Sequence, residues 1–469
     1  MGTLADATPP IALGALDGRY RAVVAPLVDH LSEAALNRER VYVEVEWLVH
    51  LTSRGVVPGV RALTDEEKAH LRDVVKHFGP ADVTELAEIE RETVHDVKAV
   101  EYYLKRRLAR IAPDEPGLAE LIHFCCTSED VNNLSYALML RGAVGQVWLP
   151  KATGLVDQIA ELARDLADVP LLAHTHGQPA TPTTMGKELA VLAHRLRRQL
   201  ARIERQEYLG KLNGATGTYG AHLAAVPEAD WPEVSRSFVA DVLGLTWNPL
   251  TTQIESHDWQ AELYADVARY NRILHNLCTD VWSYISMGYF AQVRGQGTVG
   301  SSTMPHKVNP IRFENAEANL EVSNALLDVL GATLVTSRLQ RDLTDSSMQR
   351  NAGTAFGHSL LALDNVGRGL AGLDAVPAAM AADLDANWEV LGEPIQSAMR
   401  ALGARGVPGM DNPYERLKDL TRGRRIGQDE LVEFLQQLGL PADVEGRLAG
   451  LTPQSYVGLA ARLVRDYLA

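Results

Sequence analysis

The chain has 469 residues, 46% hydrophobic and 22% charged, a globular composition too long for one hydrophobic core, so two or three domains are expected. Its net charge of −15 argues against nucleic acid as a partner, because binding a polyphosphate needs a basic face. A small anionic substrate remains compatible, provided that its basic contacts are concentrated at one site.

Residues 1–20 have no basic n-region and do not read as a signal peptide. No stretch approaches the roughly 18 consecutive apolar residues that span a bilayer, so no membrane partner is expected. Three cysteines, two of them adjacent at Cys125 and Cys126, cannot build a disulfide framework and read as reduced thiols packed as small hydrophobes. A cytoplasmic protein is expected.

Along the chain the apolar period is helical nearly everywhere. Residues 93–104, TVHDVKAVEYYL, put His95 and Asp96 at a helix start. The Pro- and Gly-rich run 112–117 marks a boundary. Residues 127–133, TSEDVNN, supply capping hydroxyls before a stripe through Leu134, Leu138 and Val144 that continues past Pro150 to Leu155 and Ile159. The string 175–182, THGQPATP, is broken by Pro179 and Pro182 and reads as a loop carrying His176. It leads into a second stripe, Met185, Leu189, Leu192, Leu196, Leu200 and Ile203. A third runs from Trp259 through Leu263, Val267, Tyr270, Leu274, Leu277, Val281 and Ile285, and the absence of Pro and Gly over 254–287 permits one helix of about 50 Å.

The most polar loop follows. Residues 300–310, GSSTMPHKVNP, end in Asn309-Pro310, a cap and first-turn pair that opens a fourth stripe, Phe313, Ala316, Leu320, Leu327, Leu330 and Leu334. A serine-rich loop feeding a helix N-terminus gathers free N–H donors, and with Lys307 it forms a place to hold carboxylate oxygens. Residues 341–350, RDLTDSSMQR, then set two serines between two arginines. Past Gly372 the segments shorten and become charged, ending the region of long helices. Four or more such helices imply a bundle, with no sheet at its centre. Their length suggests packing against further copies of the chain.

Taken singly, these polar segments have bland readings: a loop histidine is more often a surface residue than a catalyst, and a charged loop is usually solvated. His174 and His176 could suggest a metal pair, but no third and fourth ligand stand at a supporting spacing, so no metal is expected. Read together and in order, GSSTMPHKVNP, THGQPATP, TVHDVKAVEYYL, TSEDVNN, TTQIESHD at 251–258, RDLTDSSMQR and DGRY at 17–20 resemble the fumarase/aspartase superfamily of lyases. In detail they are most similar to its adenylosuccinate lyase family, from about residue 16 to the C-terminus. His306 in MPHK, RDLTDSS and the His95-Asp96 segment separate this family from argininosuccinate lyase, fumarase, aspartase and the cycloisomerases.

Periodicity and punctuation together predict an all-α fold of three helical domains, 1–115, 116–371 and 372–469, and the resemblance implies that the central long-helix bundle forms the core of a homotetramer. It implies β-elimination of fumarate from adenylosuccinate and from SAICAR, small anionic nucleotide substrates, with no cofactor. Ser301 would be the general base, His176 the general acid, and Glu314 the carboxylate that orients the imidazole. Thr127, Ser128, Gln253, Ser302, Lys307 and Asn315 would hold the succinyl carboxylates. Arg19, Tyr20, His95, Asp96, Arg341, Ser346 and Arg350 would serve the nucleotide end, the arginines being suited to phosphate. Each active site would draw residues from three subunits. The chain departs from the family pattern at Val94, where an asparagine is usual and valine offers no side-chain hydrogen bond. A non-catalytic structural relative could lose these groups and keep the fold; here Ser301, His176, Glu314 and Lys307 are all present.

Overall fold

The computed structural model describes residues 12–292, 308–421 and 426–468. Among them helices carry the fold, and strands occur only as three two-stranded pieces. The chain forms two compact units: residues up to 152, 199–272 and 318–364 make the first, and 153–198, 273–317 and 365 onward the second. Five helices, Leu149–Asp165, Met185–Ile203, Asp258–Ser286, Ile311–Leu334 and Ala352–Leu370, give residues to both.

The four apolar stripes form four of these helices, all but Ala352–Leu370, and are buried within the single chain. Leu263, Val267, Tyr270, Leu274 and Leu277 have no exposed surface, and Met185, Leu189, Leu196, Phe313, Leu320, Leu330 and Ile159 are buried with them. At about 1.5–3 kcal/mol per large side chain, this burial far outweighs intrinsic helix propensity. On the same helices Val191, Trp282, Val322 and Val329 are exposed. The Asp258–Ser286 helix is shorter than the 254–287 run allowed, because residues 254–257 are held by Glu255 and His257 contacts that precede its first turn.

Pro150 is absorbed without a break. A π-helical turn, Ala143–Trp148, joins the Ser128–Gly142 helix to Leu149–Asp165, and its wider spacing accommodates the missing N–H. At Asn309-Pro310 the first bonds go from Phe313 and Glu314 N–H to the Pro310 carbonyl, so proline holds the cap position and the helix begins one residue later than read.

The first unit has a core of Val41, Val45, Leu48, Leu86, Val100, Tyr103, Leu104 and their neighbours. In the second, Leu391, Ile395, Met399, Leu417, Leu431, Leu435 and Leu448 form a separate core among short C-terminal helices. The segment 175–182, read as a loop, is instead the turn and second strand of an antiparallel hairpin, Pro170–Thr175 with Gln178–Thr184. His176 and Gly177, both at positive φ, make its two-residue turn, the geometry that twisted hairpins favour. A basic cluster in the sequence, Arg422, Arg424 and Arg425, lies outside the described residues.

Candidate active site

Four of the polar segments meet in the first unit. The Asp96–Ile111 helix is capped by the His95 ring, whose Nδ1 accepts from the Lys98 N–H at 3.2 Å. One turn of the chain thus fixes both residues. Asp96 Oδ2 accepts from Arg40 Nη2 at 2.7 Å and from Arg350 Nη2 at 3.3 Å. Burial works to raise the Asp96 carboxyl, but Arg40, the Val97 amide and Arg350 outweigh it and hold it below the ordinary carboxylate range. Arg350 also grips Glu33 at 3.1 and 3.2 Å and Ser346 Oγ at 2.8 Å. A cavity of about 370 Å³ opens beside it, lined by Asp17, Leu27, Glu33, Arg350, Gly357 and His358 among others. Arg19 is exposed, its guanidinium 5.8 Å from the centre of the Tyr20 ring.

Arg341 forms the second group. Its Nη2 donates to Glu129 Oε1 at 2.9 Å, and its Nη1 reaches Gln253 Oε1 at 3.4 Å. Burial raises the Glu129 carboxyl, Arg341 opposes that rise, and Asp345 adds to it. Asp345 lies 3.8 Å from Arg341 and 3.6 Å from His257, so the unit concentrates charge of both signs here.

Thr127 and Ser128 open a helix through a capping box: the Thr127 N–H donates to Asp130 Oδ2 at 2.8 Å. The same aspartate accepts the Asn213 and Gly214 amides, and Lys211 Nζ is 2.8 Å from it with neither side chain exposed. Asn213 Nδ2 bonds Thr251 Oγ1 at 2.8 Å, and Gln253 Nε2 bonds the Ala215 carbonyl at 3.0 Å. Gly217 allows this close approach, since a Cβ there would stand 2.2 Å from the Thr251 carbonyl oxygen. Thr127 is thereby fixed on the aspartate of a buried ion pair, and Gln253 on the loop whose amides the same aspartate accepts.

The second unit holds the remaining described candidates. His176 is exposed at its hairpin tip. Glu314, in the first turn of the Ile311–Leu334 helix, accepts from Trp282 Nε1 at 3.2 Å, and Asn315 Oδ1 accepts from Asn365 at 2.9 Å. Among the described residues no hydrogen bond joins Glu314 to His176. Ser301, Ser302 and Lys307 lie outside the described residues; on either side of that segment, Gln292 Nε2 donates to the Val308 carbonyl at 2.8 Å.

Sequence reasoning passed over Arg40, Glu129, Asn132, Lys211, Asp130, His257 and Asp345. All but Arg40 and Lys211 stand inside strings that it quoted, where their half-buried neighbours Asp96, Thr127, Ser128, Gln253, Arg341 and Ser346 were read instead. No cluster of three or more His, Cys, Asp or Glu suited to a metal ion occurs among the described residues. The three cysteines are free, Cys278 being buried and the Cys125 thiol pushed up to about 11 by burial.

Comparison with known proteins places this arrangement. A family model described as lyase matches residues 18–323, and one described as adenylosuccinate lyase C-terminal matches 337–457. The chain is 47% identical over 455 residues to adenylosuccinate lyase of Escherichia coli strain K12, covering 97% of this chain and 98% of that protein. It is 46% identical over 452 residues to adenylosuccinate lyase of Vibrio cholerae serotype O1, covering 96% and 98%. In fold it matches a fumarate lyase from Mesorhizobium sp. BNC1 with TM-score 0.73 at 19% identity, covering 98% of this chain and 99% of that one. The 3-carboxy-cis,cis-muconate lactonizing enzyme of Pseudomonas putida follows with TM-score 0.71 at 19% identity, covering 94% and 95%. Identity at this level across nearly the whole length shows that the chain belongs to the lyase family, within its adenylosuccinate lyase branch.

Proposed function

We propose that this chain cleaves adenylosuccinate to AMP and fumarate, and SAICAR to AICAR and fumarate, in purine nucleotide biosynthesis. The observation that carries the reading is the 46–47% identity, over nearly full length, to two bacterial adenylosuccinate lyases. Breaking the C–N bond requires a base to take a proton from carbon beside a carboxylate, a weak carbon acid. The dianion that develops needs donors and positive charge around it. Ser301, in a loop with Lys307 before a helix N-terminus, is the base. Its deprotonation must be driven by those donors and cations, since serine is a poor base at its ordinary pKa. His176 is the acid that protonates the leaving nitrogen, a role suited to imidazole near neutral pH.

Glu314 orients and stabilises the protonated imidazole. Because it follows the serine loop on a rigid helix, base and carboxylate are delivered together. Ser302, Lys307, Asn315, Thr127, Ser128 and Gln253 hold the succinyl carboxylates, and Arg19, Tyr20, His95, Asp96, Arg341, Ser346 and Arg350 serve the nucleotide. The meeting of four of these segments in one unit supports that second set. The chemistry draws on acid, base and donor groups of the chain alone, with no cofactor.

The enzyme works as a cytoplasmic homotetramer with each site shared among three subunits. Exposed Val191, Trp282, Val322 and Val329 on the long helices support association. Of the division 1–115, 116–371 and 372–469, the core drawn wholly from Leu391 to Leu448 supports the last boundary, while the core that begins at Val41 runs past 115 to Ile122.

Ultraviolet absorbance during conversion of adenylosuccinate tests the reading, with argininosuccinate and aspartate as the competing substrates. Ser301→Ala and His176→Ala each lower turnover by orders of magnitude while leaving the oligomer intact. Near-normal activity of Ser301→Ala removes the serine from its role. Mixing the two inactive variants restores some turnover if sites are shared, and no recovery after verified subunit exchange counts against sharing.

A further inference from the structure

Glu129, Asp345 and His257 stand inside the quoted strings, yet none has a part in the reaction above. All are buried, their side chains 2%, 7% and 1% exposed. Glu129 and Asp345 converge on Arg341, with His257 behind Asp345. Among the described residues, Glu129 Oε2, Asp345 Oδ2, His257 Nε2 and Arg341 Nε have no hydrogen-bond partner, so this cradle is not saturated for stability alone.

From the cradle a chain of bonds leads to the other arginine. Glu129 Oε1, already bonded to Arg341, accepts from Asn132 Nδ2 at 2.8 Å. Asn132 Oδ1 accepts from Arg40 Nε at 2.9 Å, and Arg40 Nη2 donates to Asp96 Oδ2 at 2.7 Å. The same Asp96 oxygen takes Arg350 Nη2 at 3.3 Å. Charges alternate along the path, with one amide between the halves, and the middle is buried: Arg40 is 1% exposed and Asn132 7%. An apolar core would link these helices without desolvating two charged pairs. What the polar path adds is a fixed orientation for two long, rotatable side chains.

We propose that Glu129, Asn132 and Arg40 are positioning residues that tie Arg341 to Arg350, so that both guanidiniums meet the anionic nucleotide as one preset pair. This rests on the assignment of the two arginines to the nucleotide end.

The test is steady-state kinetics of the full-length protein with adenylosuccinate. Asn132→Leu cuts the chain without touching either arginine. Because leucine leaves Arg40 and Glu129 short of a partner and can cost the fold, Glu129→Gln, of nearly the same shape, is measured beside it. KM rises about tenfold or more while kcat stays within about threefold, with circular dichroism and oligomer size unchanged. In the parent, Arg341→Lys and Arg350→Lys combine to a loss in kcat/KM at least about fivefold smaller than the product of the single losses; in Glu129→Gln the losses multiply. Unchanged KM in both variants, multiplicative losses in the parent, or loss of fold in both overturns the proposal. If instead Arg341→Lys and Arg350→Lys leave KM unaltered, the nucleotide assignment fails, and the proposal with it.

Discussion

Replacing Lys211 by methionine tests how the candidate site is held. Lys211 and Asp130 are both fully buried and 2.8 Å apart, and the ammonium also donates to the Gly214 carbonyl at 3.0 Å. Methionine keeps most of the stem's volume and deletes the charge. Asp130 then retains the Thr127, Asn213 and Gly214 amides but loses its countercharge, and a buried carbonyl loses its donor. Breaking a buried pair from one side costs about 3–5 kcal/mol. The three remaining amides favour the lower end, and the orphaned carbonyl adds about 1 kcal/mol, so about 4 kcal/mol is expected. Urea unfolding followed by circular dichroism, at one fixed protomer concentration, measures it. A loss below about 1 kcal/mol refutes the reasoning, because it means that Asp130 is compensated without the lysine. Adding Asp130→Asn to Lys211→Met should recover part of the loss, since no uncompensated charge remains.

Val94, at φ +52 and 89% exposed, is a β-branched residue in the left-handed region, so Val94→Asn stabilises the protein by about 1 kcal/mol, read from the urea midpoint. An unchanged midpoint shows that the strain is absent. Gly217→Ala, at φ +73 with its new Cβ 2.2 Å from the Thr251 carbonyl, destabilises by about 2–4 kcal/mol in the same assay. Burial lowers His30, His50, His222 and His358 below the ordinary 6.5, so the unfolded chain takes up protons that the folded protein refuses. Stability therefore falls as pH drops through 6.5, with His123 opposing because Glu44 holds it raised against burial; a midpoint that is flat from pH 7 to about pH 5.5 contradicts this.

The helices were legible because a 3.6-residue period survives in sequence whenever one face is buried, and Leu263, Val267 and Tyr270 need no partner chain to show it. The hairpin at 170–184 was not, because Pro179 and Pro182 are breakers in most contexts and are tolerated here on a strand paired along one edge. Of the site, the half-buried and exposed polar residues were legible as types: hydroxyls at a helix start, arginines flanking serines. The buried charges were not. Arg40 lies in the middle of the Glu33–Ser53 helix, and nothing in its neighbours distinguishes it from a solvated arginine until Asn132 and Asp96 are brought against it from 92 and 56 residues away.

The backbone carries a further record that composition hides. Of the eight non-glycine residues at positive φ among the described residues, Val94, His176 and His257 lie within the quoted strings. His123 and Cys125 stand just before Thr127, Leu339 just before Arg341, and Tyr219 closes the loop that bonds Thr251. Glycine would relax every one of these positions, and its absence is why sequence gave no warning. Such a conformation costs about 1–2 kcal/mol per residue and persists only where surrounding contacts over-determine it. Those contacts are visible: His123 Nδ1 on Glu44 at 2.5 Å, the His257 amide on Glu255 at 2.9 Å, and the Tyr219 amide on the Asn213 carbonyl at 3.0 Å. These hydrogen bonds hold the turns bent, and the turns stand beside Thr127, Gln253 and Arg341.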